Sequence, residues 1–155
     1  MRVCENGVYR NATPEEIAAW EAADRSIPLD QLQSARQEEN KAALASWLSS
    51  HPLTWTDGRQ YGVEEQDQNE MALNLMQYQA AQIAEQTAPL EWHAQKEACR
   101  SFEVDEYLAL SMAISTYVYP YRRYQESVKA AIYAATTAQE VQAVVIDYGS
   151  VEVTA

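Results

Sequence analysis

The chain has 155 residues, which suits one domain, and 47% of them are hydrophobic, which is enough to support a core. Its formal net charge is −12, and no Lys or Arg stands between Arg59 and Lys96, so duplex nucleic acid is a poor partner because phosphate binding needs a cationic surface. No apolar run is long enough for a membrane span, and the polar first residues, with Arg2 and Glu5, do not resemble a signal peptide, so we expect a protein that stays in the cytosol where it is made.

The chain begins with a predicted β-hairpin and a short helix. Residues 2–10 surround Asn6-Gly7, a dipeptide that favours a type I′ turn because both positions need positive φ. Thr13 and Glu16 have the spacing of a capping box at a helix start. A two-stranded hairpin is marginally stable in water, so we expect it to lean on the next helix or on a partner, and the apolar residues of the whole piece suggest docking onto another protein. Its candidate partner-binding residues are Val3, Val8, Tyr9, Ile17 and Trp20.

A second helix is predicted from about Leu29 to Ser49, after a break at residues 26–28. Its two ends are apolar, whereas residues 36–41 are polar on all sides. A middle section that is polar on all sides, called the waist below, is typical of a helix that crosses solvent between two folded parts. The sequence therefore predicts a strut between an N-terminal attachment piece and a C-terminal domain. A short coiled-coil segment is the alternative, although the heptads are few.

The next predicted elements are a hairpin and a third helix. Residues 54–61 read as a hairpin around Asp57-Gly58, after a boundary at His51-Pro52. Asp67 and Glu70 have capping-box spacing, and a helix should follow to about Gln86. Periodicity predicts that this helix buries Met71, Leu75, Met76 and Ile83.

Two short strands, residues 90–95 and 99–102, precede the longest predicted helix, and Trp92 and Phe102 are expected as cross-strand core residues. The long helix runs from Val104 to Thr136. Tyrosines at helical spacing indicate a core with hydroxyls at its rim rather than a stacking surface for nucleic acid or sugar. The predicted buried face consists of Tyr107, Leu108, Met112, Ile114, Tyr117, Val118, Tyr121, Tyr124, Val128, Ile132 and Tyr133.

Pro120 interrupts the long helix, because it cannot donate to the carbonyl of Thr116 and its ring crowds that carbonyl. We expect a kink or a break near Tyr119, at a cost of about 3 kcal/mol unless packing compensates. After this helix, Thr137 and Glu140 have capping-box spacing. They predict a short last helix that buries Val141, Val144 and Val145.

Together these elements predict an α+β fold, mainly helical, with small antiparallel hairpins packed on a long C-terminal helix. The predicted division is an N-terminal docking and strut region at residues 1–50, an α+β domain at residues 52–148 and a tail at residues 149–155. The tail alternates in polarity, which fits either an edge strand or a disordered end.

No motif in the chain predicts catalysis, a metal or a cofactor. Neither His51 nor His93 has a second histidine four residues on, as helical metal ligands require. A meeting of His93 with Cys99 across the hairpin would imitate a Cys-His pair, but no third group completes the arrangement. We therefore predict a non-enzymatic protein with no catalytic residues, no bound metal and no cofactor.

Several phrases of the sequence carry a family resemblance. They are residues 55–61, the helix with Met71 and Met76, Leu90-Glu91-Trp92, Phe102-Glu103-Val104, residues 128–132 and the closing residues 134–141. With these phrases the chain from about Leu53 to Tyr148 resembles a domain-of-unknown-function family found in bacteriophage and prophage tail-fibre regions. Residues 5–16 also resemble the start of small phage tail accessory proteins. Glu103, where a hydroxyl cap is expected, and Pro120 depart from the family pattern.

The resemblance implies a non-enzymatic bacteriophage tail accessory protein. Such a protein is either a structural component of the tail or tail-fibre apparatus or a chaperone for fibre assembly. Its expected partner is a phage tail or tail-fibre protein, with no nucleic acid and no membrane, and homo-oligomerisation is left open. Its expected location is the virion tail, or the host cytoplasm during assembly.

The acidic composition supports an alternative function, which is inhibition of a host nucleic-acid-processing or defence enzyme by occupation of a basic site. We favour solubility as the reason for the charge, because the acidic residues are scattered rather than arranged in a regular ladder.

Overall fold

The computed structural model describes residues 2–5, 8–24 and 27–152, with side chains described for residues 10–20 and 27–152. The elements confirm the predicted α+β fold with a helical majority. In chain order they are β1 (Arg2–Glu5), β2 (Val8–Asn11), α1 (Pro14–Asp24), α2 (Leu29–Ser50), β3 (Leu53–Thr54), β4 (Gln60–Tyr61), α3 (Glu65–Ile83), β5 (Glu91–Trp92), β6 (Arg100–Ser101), α4 (Val104–Ala134), α5 (Ala138–Ala143) and a 3₁₀ turn at Tyr148–Ser150.

The long helix α4 is the element on which α2, α3 and α5 pack. Its inward face is buried at Tyr107, Leu110, Ile114, Val118 and Tyr121, and further along at Val128 and Ile132. The main core joins this face to residues of α2, α3 and the second and third hairpins. A smaller core lies at the far end of α4, where Ile132 meets Val141 of α5.

The inward face of α4 differs from the predicted one. Leu110 is fully buried although it was not predicted, whereas Leu108, Met112 and Tyr133 are exposed. Mixed steps of three and four residues define a broad apolar surface, and only the directions from which α2 and α3 approach decide which part of it is covered. The tyrosine prediction holds in part. Tyr107 and Tyr121 are buried in the core, and the hydroxyl of Tyr117 donates to the carbonyl of His51 at 3.1 Å, whereas Tyr119 and Tyr133 are exposed.

Of the predicted kink or break near Tyr119, the break does not occur, since α4 continues through Pro120 as one helix. The proline removes the amide that would bond the carbonyl of Thr116. Thr116 is exposed, so water can replace that donor. Packing of residues before and after Pro120 into the two cores holds the helix together across it.

The three hairpins are separate two-stranded antiparallel sheets. In the first, Glu5 pairs with Val8, which confirms a two-residue connection; the turn conformation predicted for Asn6-Gly7 lies outside the described residues. In the second, Gly58 has φ +79°, a conformation that favours glycine, and the carboxylate of Asp57 accepts a hydrogen bond from the amide of Arg59 at 3.0 Å.

The third hairpin is shorter than predicted and has a different register. Trp92 pairs with Arg100 rather than with Phe102, and the amide of Phe102 donates to the carbonyl of Leu90 at 2.9 Å. Trp92 and Phe102 are nevertheless both buried, as predicted.

Helix α3 starts earlier and buries less than predicted. Its N-cap residue is Glu64, and the carboxylate of Asp67 accepts from the amide of Glu64 at 3.0 Å. The capping box is therefore Glu64–Asp67, and the predicted Asp67–Glu70 pair is wrong. Met71 is buried and Leu75 is half-buried, whereas Met76 and Ile83 are exposed. Only one side of α3 faces α4, and these two residues lie on the other side.

Helix α2 is not the solvent-bridging strut that its polar waist predicted. Gln37 and Asn40, both in the waist, are buried against α4. Gln37 donates to the carbonyl of Lys129 at 3.0 Å, and Asn40 donates to the carbonyl of Gln125 at 3.1 Å.

Two further side chains of α2 donate hydrogen bonds to backbone carbonyls. Gln33 donates to the carbonyl of Ala135, just after α4, and Arg36 donates to the carbonyl of Val144, just after α5.

These contacts form a polar seam, defined here by Gln33, Gln37 and Asn40 of α2 and the carbonyls that they bond. As α2 advances, its partners move backwards along α4, so the helices are antiparallel. Leu44 and Leu48, later in α2, belong to the main core. The predicted boundary near residues 50–52 therefore does not separate two cores.

The last described residues are also part of the fold. Tyr148, in the 3₁₀ turn, is buried, and its hydroxyl donates to the side-chain oxygen of Asn40 at 2.7 Å. Val151 packs against the main core, and residues 151–152 form no strand. The predicted tail thus begins inside packed structure, and residues 153–155 lie outside the described ones. In α5 the Thr137–Glu140 capping box is confirmed, and Val145 beyond it is exposed.

Candidate docking site

The first hairpin and α1 are joined at the helix start. Glu16 accepts from the amide of Thr13 at 2.8 Å, while the Thr13 hydroxyl accepts from the amide of Glu16 at 3.2 Å, which confirms the predicted capping box. The two terminal nitrogens of Arg10, the third residue of β2, donate to the two oxygens of Glu16 at 2.7 and 2.6 Å. This bidentate pair sets the angle between β2 and α1.

The carboxyl group of Glu16 has a lowered pKa that a titration can measure. The Arg10 guanidinium, followed by the Thr13 amide, lowers the pKa of Glu16 from 4.5 to about 2. Because the ionised form is the one stabilised, the contribution of this carboxylate to the hairpin–helix junction is complete above pH 4.5 and is lost as the pH falls towards about 2. An NMR titration of the Glu16 carboxyl carbon should show the low pKa, and Arg10→Gln should move it back towards 4.5. An unchanged midpoint in that variant would show that Arg10 is not the cause.

Two of the five predicted docking residues have described side chains. Ile17 and Trp20 stand one turn apart on α1 and are 37% and 38% exposed. For Val3, Val8 and Tyr9 only the backbone is described, and it pairs in the β1–β2 ladder. The side chains of these three residues lie outside the described part of the chain, so the structure places two members of the predicted set on one helix and leaves the other three untested.

A charged cluster ties the second and third hairpins to the start of α4. Arg100 donates to Glu106 at 2.8 Å and to the hydroxyl of Tyr61 at 3.3 Å, and its guanidinium lies 3.6 Å from the ring centroid of Phe102. Tyr61 in turn donates to Asp57 at 2.8 Å. Pairing with Glu106 raises the pKa of Arg100. The bonds from Arg100 therefore connect the second hairpin, the third hairpin and the first turn of α4, although the Nε of Arg100 is buried without a hydrogen-bond partner among the described residues.

A groove with a volume of about 340 Å³ lies between α2, α4 and the start of α3. Leu44 and Leu48 are among its lining residues, and Lys41 and Arg122 are its two cations. Lys41 is paired with Glu38 at 2.7 Å, and Arg122 donates to the side chain of Gln68 at 3.1 Å. Both cations of the groove therefore already have partners within the chain.

The structure gives no support to a Cys-His pair formed by His93 and Cys99 or to a metal site. His93 and Cys99 are both exposed, and the ring of His93 forms a hydrogen bond with the carbonyl of Ala94. Among the side chains that the structure describes, no three His, Cys, Asp or Glu groups converge as metal ligands. Over residues 2–5, 8–24 and 27–152, no helix is long and apolar enough to cross a membrane.

Two features of the structure were not predicted from the sequence. One is the polar seam of α2, which was interpreted as a solvated waist. The other is the outer side of α3, where Leu73 and Met76 are exposed. A usable signal was present for the second feature, because residues 71–84 contain no charged residue in a chain of net charge −12.

No protein-family model matches the chain, and no curated protein or solved structure matches it.

Proposed function

We propose that this chain is a non-enzymatic bacteriophage tail accessory protein that docks on a tail or tail-fibre protein through its first hairpin and α1. The observation that carries the docking role is the pair of exposed apolar side chains, Ile17 and Trp20, on a helix whose start is tied to β2 by Arg10 and Glu16. The phage setting rests on the resemblance of residues 53–148 and 5–16 to tail-fibre-region and tail accessory proteins.

The location of the two cores supports this division of roles. Among the side chains that the structure describes, both hydrophobic clusters are built from residues 29–151, and neither includes Ile17 or Trp20. A tryptophan that the core does not use is a suitable anchor for an interface, because tryptophan is among the residues that contribute most to binding energy. The Arg10–Glu16 pair reduces the freedom of the helix before binding, which lowers the entropic cost of docking.

The proposal is tested by quantitative mass spectrometry of purified particles together with a pull-down from infected-cell lysate, using the full-length chain as bait. We expect either a fixed copy number per tail or capture of a fibre protein by the bait. Absence from particles together with salt-sensitive capture of a basic host enzyme would overturn the proposal in favour of the acidic inhibitor.

Deletion of residues 1–25 should abolish partner binding while the remainder stays folded, because the two cores lie outside the deleted part. Within the full chain, Trp20→Ala should weaken binding about 30-fold or more, which corresponds to an interface anchor worth about 2 kcal/mol. Titration calorimetry with the captured partner measures both effects.

The matched control is Tyr119→Ala, which removes an exposed aromatic side chain (61% exposed) from α4. It should leave the affinity unchanged. Binding that survives the deletion, or that responds equally to both point variants, would remove the docking role from α1.

A further inference from the structure

The outer side of α3 carries a line of apolar side chains that the fold does not use. Leu73, Met76, Ala80 and Ile83 follow one another at steps of three, four and three residues, the spacing of a two-heptad helix–helix contact. We call these four residues the α3 seam. The side chains of Leu73, Met76 and Ile83 are 52%, 65% and 86% exposed.

The opposite side of α3 already satisfies the fold. Met71 is buried in the main core, and Leu75 and Tyr78 pack against it. Asn74 donates to the hydroxyl of Tyr107 at 3.3 Å. The α3 seam is therefore surplus to the packing of this chain, and three large exposed apolar side chains in a row are a costly surface to leave in water.

The charge pattern identifies what fits this surface. Residues 71–84 contain no Asp, Glu, Lys or Arg, although 22% of the chain is charged. The positions beside the seam include the exposed glutamines Gln77 and Gln79. A strongly charged partner would find no opposite charge here. A second copy of the chain, which its net charge of −12 repels elsewhere, meets no like charge along residues 71–84, and the nearest carboxylates are at the two ends of the stretch, at Glu70 and Glu85.

We propose that two copies of this protein associate through their α3 seams, antiparallel across a two-fold axis. The axis lies between Met76 and Ala80, so that Met76 of each copy packs over the small Ala80 of the other, and Leu73 packs against Ile83. This alternation of large and small side chains gives interlocking contacts. The antiparallel arrangement also sets the two helix dipoles in opposite directions, and the contact is isologous, so it closes as a dimer.

A second exposed apolar line provides a matched control. Leu108, Met112 and Tyr119 lie on the outer side of α4, and Met112 is 70% exposed, close to the value for Met76. This line is flanked by charged residues, Asp105 and Arg123, and the guanidinium of Arg123 lies 6.0 Å from the ring centroid of Tyr119. The outer side of α4 therefore lacks the uncharged surroundings that the α3 seam has.

Sedimentation velocity of the purified full chain over a concentration series tests the association. We expect a species of twice the 17.5 kDa chain mass. Met76→Glu should raise the dissociation constant at least about tenfold, because it places two carboxylates in an apolar contact. Ile83→Lys should do the same from the other end of the seam, and Met112→Glu should leave the dimer intact. All three positions are exposed, so circular dichroism should show unchanged helix content.

A wild-type chain that sediments as a monomer throughout would overturn the proposal. A dimer that persists in both α3 variants, or one that Met112→Glu disrupts, would also overturn it.

Disulfide trapping tests the orientation, in a background with Cys4→Ser and Cys99→Ser. The double variant Leu73→Cys with Ile83→Cys should form covalent dimers on oxidation, because the two positions face each other across the axis. Leu73→Cys alone should not, because ten residues of helix separate the two copies of that position by about 15 Å. Equally rapid trapping by the single variant would overturn the antiparallel arrangement.

Discussion

Replacement of Ile114 by alanine should lower the free energy of unfolding by about 2–5 kcal/mol, the range for removing a large aliphatic side chain from a core. Ile114 is 1% exposed and lies in the inward face of α4, where α2 and α3 both pack. The smaller side chain leaves a cavity between elements whose positions are set by several other contacts, so the space cannot collapse fully. Urea denaturation followed by circular dichroism measures the change.

Met112→Ala is the matched control for this prediction. It removes a side chain of similar size from the same helix, two residues earlier, at a position that is 70% exposed. We expect a change within about 0.5 kcal/mol, since alanine is also a good helix former. Equal losses in the two variants would mean that the inward face of α4 has been assigned to the wrong residues.

Replacement of Asn40 by leucine should lower the free energy of unfolding by about 2–3 kcal/mol, although the branching of the side chain does not change, because it removes the hydrogen-bonding groups and places two bulkier methyl groups in their position. Asn40 is fully buried, donates to the carbonyl of Gln125, and accepts from the hydroxyl of Tyr148 at 2.7 Å. The substitution leaves that hydroxyl buried, with the carbonyl of residue 40 at 3.4 Å as its remaining acceptor. Urea denaturation at fixed protein concentration gives the value.

A double-mutant cycle isolates the contact between Asn40 and Tyr148. Tyr148→Phe should cost less in the Asn40→Leu background than in the wild type, with a coupling energy of about 0.5–3 kcal/mol. Lys41→Ala, at the neighbouring exposed position, should leave stability nearly unchanged, because its ion pair with Glu38 lies in water. Additive losses in the cycle would contradict a direct contact and place the effect of Asn40 in its bond to α4 alone.

The polar seam gives α2 a register on α4. Apolar side chains tolerate sliding by a turn, whereas Gln37 and Asn40 find their carbonyls in one alignment only. A buried polar group that misses its partner costs free energy, so the seam disfavours other alignments. The same argument explains why the last described residues are held in place, because Tyr148 depends on Asn40.

Local chemistry in the sequence determined the starts and turns of many elements. The capping boxes at Thr13–Glu16 and Thr137–Glu140 form as predicted, because their partners are three residues apart and need no other part of the chain. Asp57-Gly58 turns the second hairpin for the same reason. The start of α4 at Val104 also followed from its sequence, since a long apolar periodicity is a strong signal, whereas the continuity of the helix through Pro120 did not.

Tertiary structure alone decided which side chains are covered. Periodicity places Met71 and Met76 on the same helix, but only the approach of α4 leaves one buried and the other exposed. The polar waist of α2 carries the same residue types whether it faces water or a row of carbonyls, because amide side chains satisfy either environment. The role of Asn40 and the exposure of Met76 and Ile83 on α3 therefore depend on the tertiary structure, since burial is a property of contacts between distant parts of the chain.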